Sequence, residues 1–155
     1  MVVKNKLPNV DVIIATTAEK KRCVSLMKAI ESILSQSKVV SLPIIVVNGN
    51  RYDQELLEEL RSRQDLKVVY EATPSAPNGH LIGRLVSEAE FFCFLDDDDT
   101  LLPDTLEPRL NCLRNNPEYS VLVCNGYRSF DGCDHIMFDN LLEFESFPAK
   151  SLLEN

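Results

Sequence analysis

The chain has no apolar run long enough to cross a membrane. The longest, Phe91 to Leu95 and Pro43 to Val47, match a strand and fall far short of the roughly 20 residues of a spanning helix. Its opening stretch, MVVKNKLPNV, lacks the long apolar segment of a signal peptide, so a cytoplasmic protein without a transmembrane segment is expected. Paired-cysteine motifs are missing too. The cysteines, Cys23, Cys93, Cys112, Cys124 and Cys133, are odd in number and none stands at CxxC spacing. A zinc knuckle therefore has no support, and reduced thiols are the natural state. A basic surplus is absent: 16 Lys and Arg stand against 24 Asp and Glu, a net charge of −8. Such a surface does not attract phosphate backbones, which argues against a nucleic-acid binder. Neither GxxxxGK[ST] nor GxGxxG occurs. A receiver-like phosphoacceptor would need an acidic pair after the first strand, where Ala15-Thr16-Thr17 supplies none. There is no repeat and no low-complexity linker.

What is present fits one compact domain over residues 1–155: 155 residues, 45% hydrophobic and 26% charged. Val10 to Ala15 is short and β-branched and reads as a buried strand. Thr16 and Thr17 are positioned to cap the helix after it. From Glu19 to Gln36, Cys23, Leu26, Met27, Ile30, Ile33 and Leu34 recur at helical spacing, with Lys20, Lys21, Arg22, Lys28 and Glu31 mostly on the other face. Pro43 to Val47 is a second strand ending in an Asn48-Gly49-Asn50 turn, Asp53 to Arg63 a helix, and Lys67 to Tyr70 a third strand. Ala72 to Gly79 reads as a loop and Leu81 to Ala89 as a short helix. Phe91 to Leu95 is the most apolar strand. A helix opens near Pro103-Asp104-Thr105, and with Thr105 as N-cap Pro108 falls at its third position, where a missing N–H costs little. Tyr119 to Cys124 reads as a fifth strand, and Phe130-Asp131-Gly132-Cys133 as a hairpin turn. Apolar strands alternating with amphipathic helices predict a parallel sheet covered on both faces. Ligands of such sheets bind at the carboxyl ends of the strands. Thr16, Thr17, Asn48, the 72–80 loop and Asp96 to Asp99 then share one rim.

Asp96-Asp97-Asp98-Asp99 is the feature that most needs a partner. Two like charges 4 Å apart cost on the order of 4 kcal/mol at an effective dielectric near 20. A cation relieves that cost, and Mg²⁺ or Mn²⁺ commonly bridges one or two carboxylates to a diphosphate. If the segment is extended, alternate residues face the same way, so Asp96 and Asp98 reach one ligand. Asp131, Asp134, Asp139, Glu143 and Glu145 carry no motif and read as solvated surface charge, and His80 and His135 stand alone without ligand partners.

Several segments together resemble a family: Val12-Ile-Ile-Ala-Thr-Thr, Ile33-Leu-Ser-Gln36, Ile44-Ile-Val-Val-Asn-Gly-Asn50, and Phe92-Cys-Phe-Leu-Asp-Asp-Asp-Asp-Thr-Leu-Leu-Pro-Asp104. This set is similar to the family 2 (GT-A fold) glycosyltransferases over residues 8–125, with a hairpin and tail over 126–155. The resemblance implies a Rossmann-like GT-A fold without the acceptor-binding C-terminal part. It also implies transfer of a sugar from a nucleoside-diphosphate sugar to a glycan, lipid or protein acceptor, with inversion. Asn48 stands where the family has a base-reading aspartate, and Thr16 and Thr17 stand where the first loop meets the nucleoside. Asp96 and Asp97 would face ribose and phosphate, and Asp98 would ligate Mn²⁺ or Mg²⁺. Either Arg84 or His80 takes the place of an arginine in the loop after the third strand. The family's proline, aromatic and asparagine after strand one are here Ala15, Thr17 and Ala18, so no aromatic stacks on the base. No residue matches the family's catalytic base. The rival reading is a noncatalytic nucleotide or metal-binding module whose exposed face is covered by a second copy or a partner chain.

Overall fold

The structure, a computed structural model, describes residues 7–138. The chain divides into two compact units, Met1–Asn116 and Pro117–Asn155.

In the first unit four parallel strands form a sheet in the order β3-β2-β1-β4. These are β1 (Asn9–Thr16), β2 (Val40–Asn48), β3 (Lys67–Glu71) and β4 (Phe91–Phe94). Period-two alternation splits the β-branched residues between two faces. Val10, Val12, Ile14, Ile45 and Val47 pack beneath α1 (Cys23–Leu34), α2 (Gln54–Ser62) and α4 (Leu106–Asn115). Ile13, Ile44 and Val46 turn the other way, against Ile82 and Val86 of α3 (Ala76–Val86). Each fully buried Ile or Leu stabilises the sandwich by roughly 1.5–3 kcal/mol.

Helix α3 begins inside the segment that reads as a loop. Ser75 caps it, its Oγ accepting from the Asn78 N–H at 3.3 Å, and Pro77 lies in the first turn. Pro-Asn-Gly resembles a turn, but proline is tolerated where the N–H has no helical partner, and Gly79 serves packing. A Cβ there would stand 2.9 Å from the Ala15 Cβ, and one on Gly83 would overlap the Ile13 Cγ2. The two glycines let α3 lie close on β1 and β2. The helix ends at Val86, short of Ala89. Ahead of α1, a 3-10 turn (Lys20–Arg22) occupies what reads as helix, and the Thr16 hydroxyl accepts from the Ala18 N–H at 2.9 Å without capping either element.

Strand β4 is less buried than its composition predicts. Phe91 and Cys93 meet the core, whereas Phe92 and Phe94 are 41% and 50% exposed. β4 is an edge of the sheet, and α3 meets it through the ring of His80 against Phe94 and the Arg84 guanidinium over Phe92. Pro108 takes the third position of α4, as expected, but Thr105 provides no side-chain cap. The Leu106 N–H donates instead to Gln36 Oε1 at 3.2 Å.

In the second unit β5 (Tyr127–Phe130) and β6 (Cys133–Ile136) form the expected hairpin. Asp131 (φ 50) and Gly132 (φ 77) both take the positive φ that a two-residue primed turn demands. Tyr119 to Cys124 is not a strand. β propensity describes fit to a pleated surface, and a strand exists only with a pairing partner. Asp139, Glu143 and Glu145 lie outside the described residues.

Candidate functional site

Parallel pairing puts the ends of β1 and β2 side by side, Thr16 and Asn48 closing their strands, while β4 runs out two residues before Asp96. These ends bound a cavity of about 370 Å³, lined by Thr16, Thr17, Asn48, Asp96, Asp97 and Asp98, with Ala15, Ala76 and Arg22 completing it. That is the size range of small-ligand pockets. Of the predicted rim, Thr16, Thr17, Asn48, Asp96, Asp97 and Asp98 line this cavity, whereas Asp99 and the 72–80 segment apart from Ala76 do not.

The acidic segment is not extended. The Asp99 N–H donates to the Asp96 carbonyl at 3.2 Å, closing a turn, so Asp96, Asp97 and Asp98 all reach the cavity instead of alternating. Asp97 is nearly buried, and both of its oxygens are engaged. One accepts from the Thr16 hydroxyl at 2.5 Å, the other from Arg22 Nη1 at 2.6 Å. The same Nη1 donates to Asp98 Oδ2 at 2.9 Å. Asp97, and then Asp98, raise the Arg22 pKa above its ordinary value. Burial, with Asp96 and Asp98 close by, pushes the Asp99 carboxyl up. Negative charge at this turn is thus only partly compensated.

Asn48 is buried, and its Nδ2 donates to the Thr16 carbonyl at 3.1 Å. This pins the end of β2 to the end of β1. The amide oxygen is then the group left for a ligand's N–H.

Gln36 and the Leu-Leu-Pro-Asp segment are joined in space. Gln36 Nε2 donates to the Leu102 carbonyl at 2.9 Å. Asp104 Oδ1 accepts from both the N–H and the hydroxyl of Ser37 at 2.9 Å. This strap fixes the chain that leaves the acidic turn.

The residues fit a divalent cation in one specific way. Among the described residues no three acidic, histidine or cysteine side chains converge as a ready-made cage. Asp96 and Asp98 are exposed at the cavity and offer hard carboxylate oxygens. Mg²⁺ and Mn²⁺ accept such a pair when water and phosphate oxygens supply the rest.

Arg84 does not reach this cavity. Its guanidinium lies 4.5 Å from the centre of the Phe92 ring, on the open face of β4. His80 is also absent from the lining, and its ring lies tilted at 45° against that of Phe94, 4.8 Å between centres. The cation that does reach the site is Arg22. Helical spacing places it among surface charges, because the 3-10 turn that diverts it leaves no mark in the apolar pattern. Its position a few residues after the first strand, on the ligand rim, was the available signal.

An all-parallel sheet flanked by helices, with a polar cleft at the carboxyl ends of its strands, is a Rossmann-like α/β fold of the GT-A kind. The chain matches the model of the family described as Glycosyl transferase family 2 over residues 11–152, and it belongs to that family. Solved structures of S. aureus TarS share the fold. TarS 1–349 superposes with a TM-score of 0.58 at 21% identity, over 70% of this chain and 33% of that one. The complex of TarS 1–349 with UDP gives 0.57 at 23%, over 70% and 33%. A further TarS structure gives 0.55 at 23%, over 69% and 20%. The chain thus spans about a third of the length of the first two. No curated protein matches it. None of the described helices is long and apolar enough to cross a membrane.

Proposed function

We propose that this chain carries the donor side of a metal-dependent, inverting glycosyltransferase acting on a nucleoside-diphosphate sugar. The observation that carries the reading is the meeting of Thr16, Asn48 and Asp96 to Asp98 around one cavity at the strand ends. UDP bound to TarS, a protein of the same fold, supports it. In this reading Thr16 and Thr17 border the nucleoside and the Asn48 amide oxygen accepts from its base. Asp96 faces ribose and diphosphate, with Asp97 behind it holding Arg22 and Thr16. Asp98 and Asp96 would hold Mn²⁺ or Mg²⁺, which when bound neutralises charge on the departing diphosphate as a Lewis acid and template. The acceptor is a hydroxyl of a glycan, lipid or protein. Its oxygen bonds to the anomeric carbon as the bond from that carbon to the diphosphate breaks, and its proton passes to a carboxylate base. No described residue is positioned as that base.

A second reading keeps donor binding and drops transfer: a noncatalytic module whose partner, or second copy, covers β4. The exposed Phe92 and Phe94 on an edge strand favour it.

Thermal melting with UDP, GDP or dTDP, with and without Mn²⁺, tests the common part. A ligand at 100 times its Kd adds roughly 2.7 kcal/mol. Asp98→Asn should remove the Mn²⁺-dependent increment; an increment that survives the substitution counts against Asp98 as a ligand. Hydrolysis of a sugar nucleotide then separates the two readings, since turnover by the 155-residue chain defeats the binding-only one.

A further inference from the structure

The acidic turn already holds a cation, and it belongs to the protein. One nitrogen of Arg22 bridges Asp97 at 2.6 Å and Asp98 at 2.9 Å. The two bonds are unequal in setting. The Asp97 side chain is 10% exposed and also takes the Thr16 hydroxyl, whereas the Asp98 side chain is 60% exposed and Arg22 is the only partner that its carboxylate shows among the described residues. Exposed ion pairs are weak and exchange readily, while a desolvated, hydrogen-bonded one persists. The guanidinium has further N–H donors in a planar fork that suits phosphate oxygens.

We propose that Arg22 is a counter-ion that exchanges partners when the donor site fills. It neutralises Asp98 in the empty cleft and yields Asp98 to an incoming divalent ion. Still tethered by Asp97, it then turns its released edge to the diphosphate. Arg22 is thus a competitor of the ion and a ligand of the nucleotide, and the two roles carry opposite signs. The proposal rests on the donor-site reading above, and it deepens that reading by assigning a residue the sequence pattern left on the solvent face.

The test is Arg22→Gln, with two readouts on the full chain. The Arg22 side chain is 38% exposed, so the fold should survive, which circular dichroism checks; Arg22→Lys keeps the charge without the fork and serves as the second variant. Binding of Mn²⁺ alone is followed by electron paramagnetic resonance on nucleotide-free protein. It should tighten by about fivefold or more in Arg22→Gln, because a competing cation is gone. Binding of UDP, GDP and dTDP at saturating Mn²⁺ is followed by calorimetry. For the nucleotide that the wild type binds best it should weaken about tenfold, the loss expected for a charged hydrogen bond. Arg22→Lys should lie between wild type and Arg22→Gln in both. Tighter Mn²⁺ with weaker nucleotide supports the exchange. If the wild type binds both and Arg22→Gln moves them in the same direction, or leaves either unchanged, the exchange is overturned and the donor site stands. If wild type and variant alike bind neither Mn²⁺ nor nucleotide, the donor-site reading falls and the exchange falls with it.

Discussion

Asp104 sits at φ 51, in the left-handed region that asparagine and aspartate tolerate better than most residues. The Ser37 N–H and hydroxyl bonds, with Lys38 nearby, hold its carboxyl below the ordinary value of 3.8. A carboxyl lowered in the folded state contributes stability above its unfolded pKa, and that contribution is lost as pH falls through the folded value. Asp104→Asn keeps an acceptor oxygen and the left-handed preference while removing the charge. Urea melts should therefore find Asp104→Asn less stable than the wild type at neutral pH, with a shallower acid loss from about pH 4 down to pH 2, so that the two converge at low pH. Glu19 and Asp65, also lowered, retain their own share of the slope. Thr16 allows a sharper test. Its hydroxyl donates to Asp97 and accepts from Ala18, so Thr16→Val leaves both partners short. The expected cost is about 1–3 kcal/mol in urea melts, and Thr16→Ser should recover most of it. At this scale the acidic turn and Asn48 were legible because strand ends mark the ligand rim. Arg22 and the bend at Asp96 were not, since both arise from local turns that apolar periodicity does not encode.

Elements were read best where burial enforces the period. β1, β2, β3 and α2 lie within a residue or a few of their expected bounds because each is closed by turn chemistry and faces a core. Helix α3 shows the opposite case. Its first turn, Ala76-Pro-Asn-Gly79, looks like a loop until the capping serine and the helix-tolerant proline position are weighed together. Its glycines are determined by the distance between helix and sheet. Gly83→Ala would drive a methyl into Ile13 Cγ2 beside Val46, and overpacking of this kind costs typically 1–3 kcal/mol. Removing the obstacle should recover part of that loss. Gly83→Ala combined with Ile13→Ala should be less destabilised than the sum of the single variants, and additivity would show that the contact is not the source of the cost. β4 was misjudged for the converse reason. The five apolar residues Phe91 to Leu95 predict burial on both sides, yet at this edge position Phe92 and Phe94 remain exposed among the described residues, and composition cannot report what lies beside a strand.

At the scale of the molecule the charge balance conflicts with the proposed ligand. The chain as a whole carries a net charge of −8 although its cleft is to receive a diphosphate, and at the cleft Arg22 already pairs with Asp97 and Asp98. Long-range repulsion then slows the approach of the nucleotide, whereas a basic nucleotide site accelerates it. Raising ionic strength from about 0.01 M to 0.15 M shortens the screening length from roughly 30 Å to 8 Å and removes most of that repulsion. In the absence of divalent ions the association rate of UDP should therefore increase with salt, the reverse of the usual trend for phosphate ligands. Stopped-flow measurements across that range decide the sign. A rate that falls with salt would mean that the local field at the cleft is positive, so that Arg22 or another cation dominates it despite the acidic surface. With Mn²⁺ present the dependence should flatten if Asp96 and Asp98 hold the ion as proposed, because its charge would offset theirs and leave only the more distant, already screened ones.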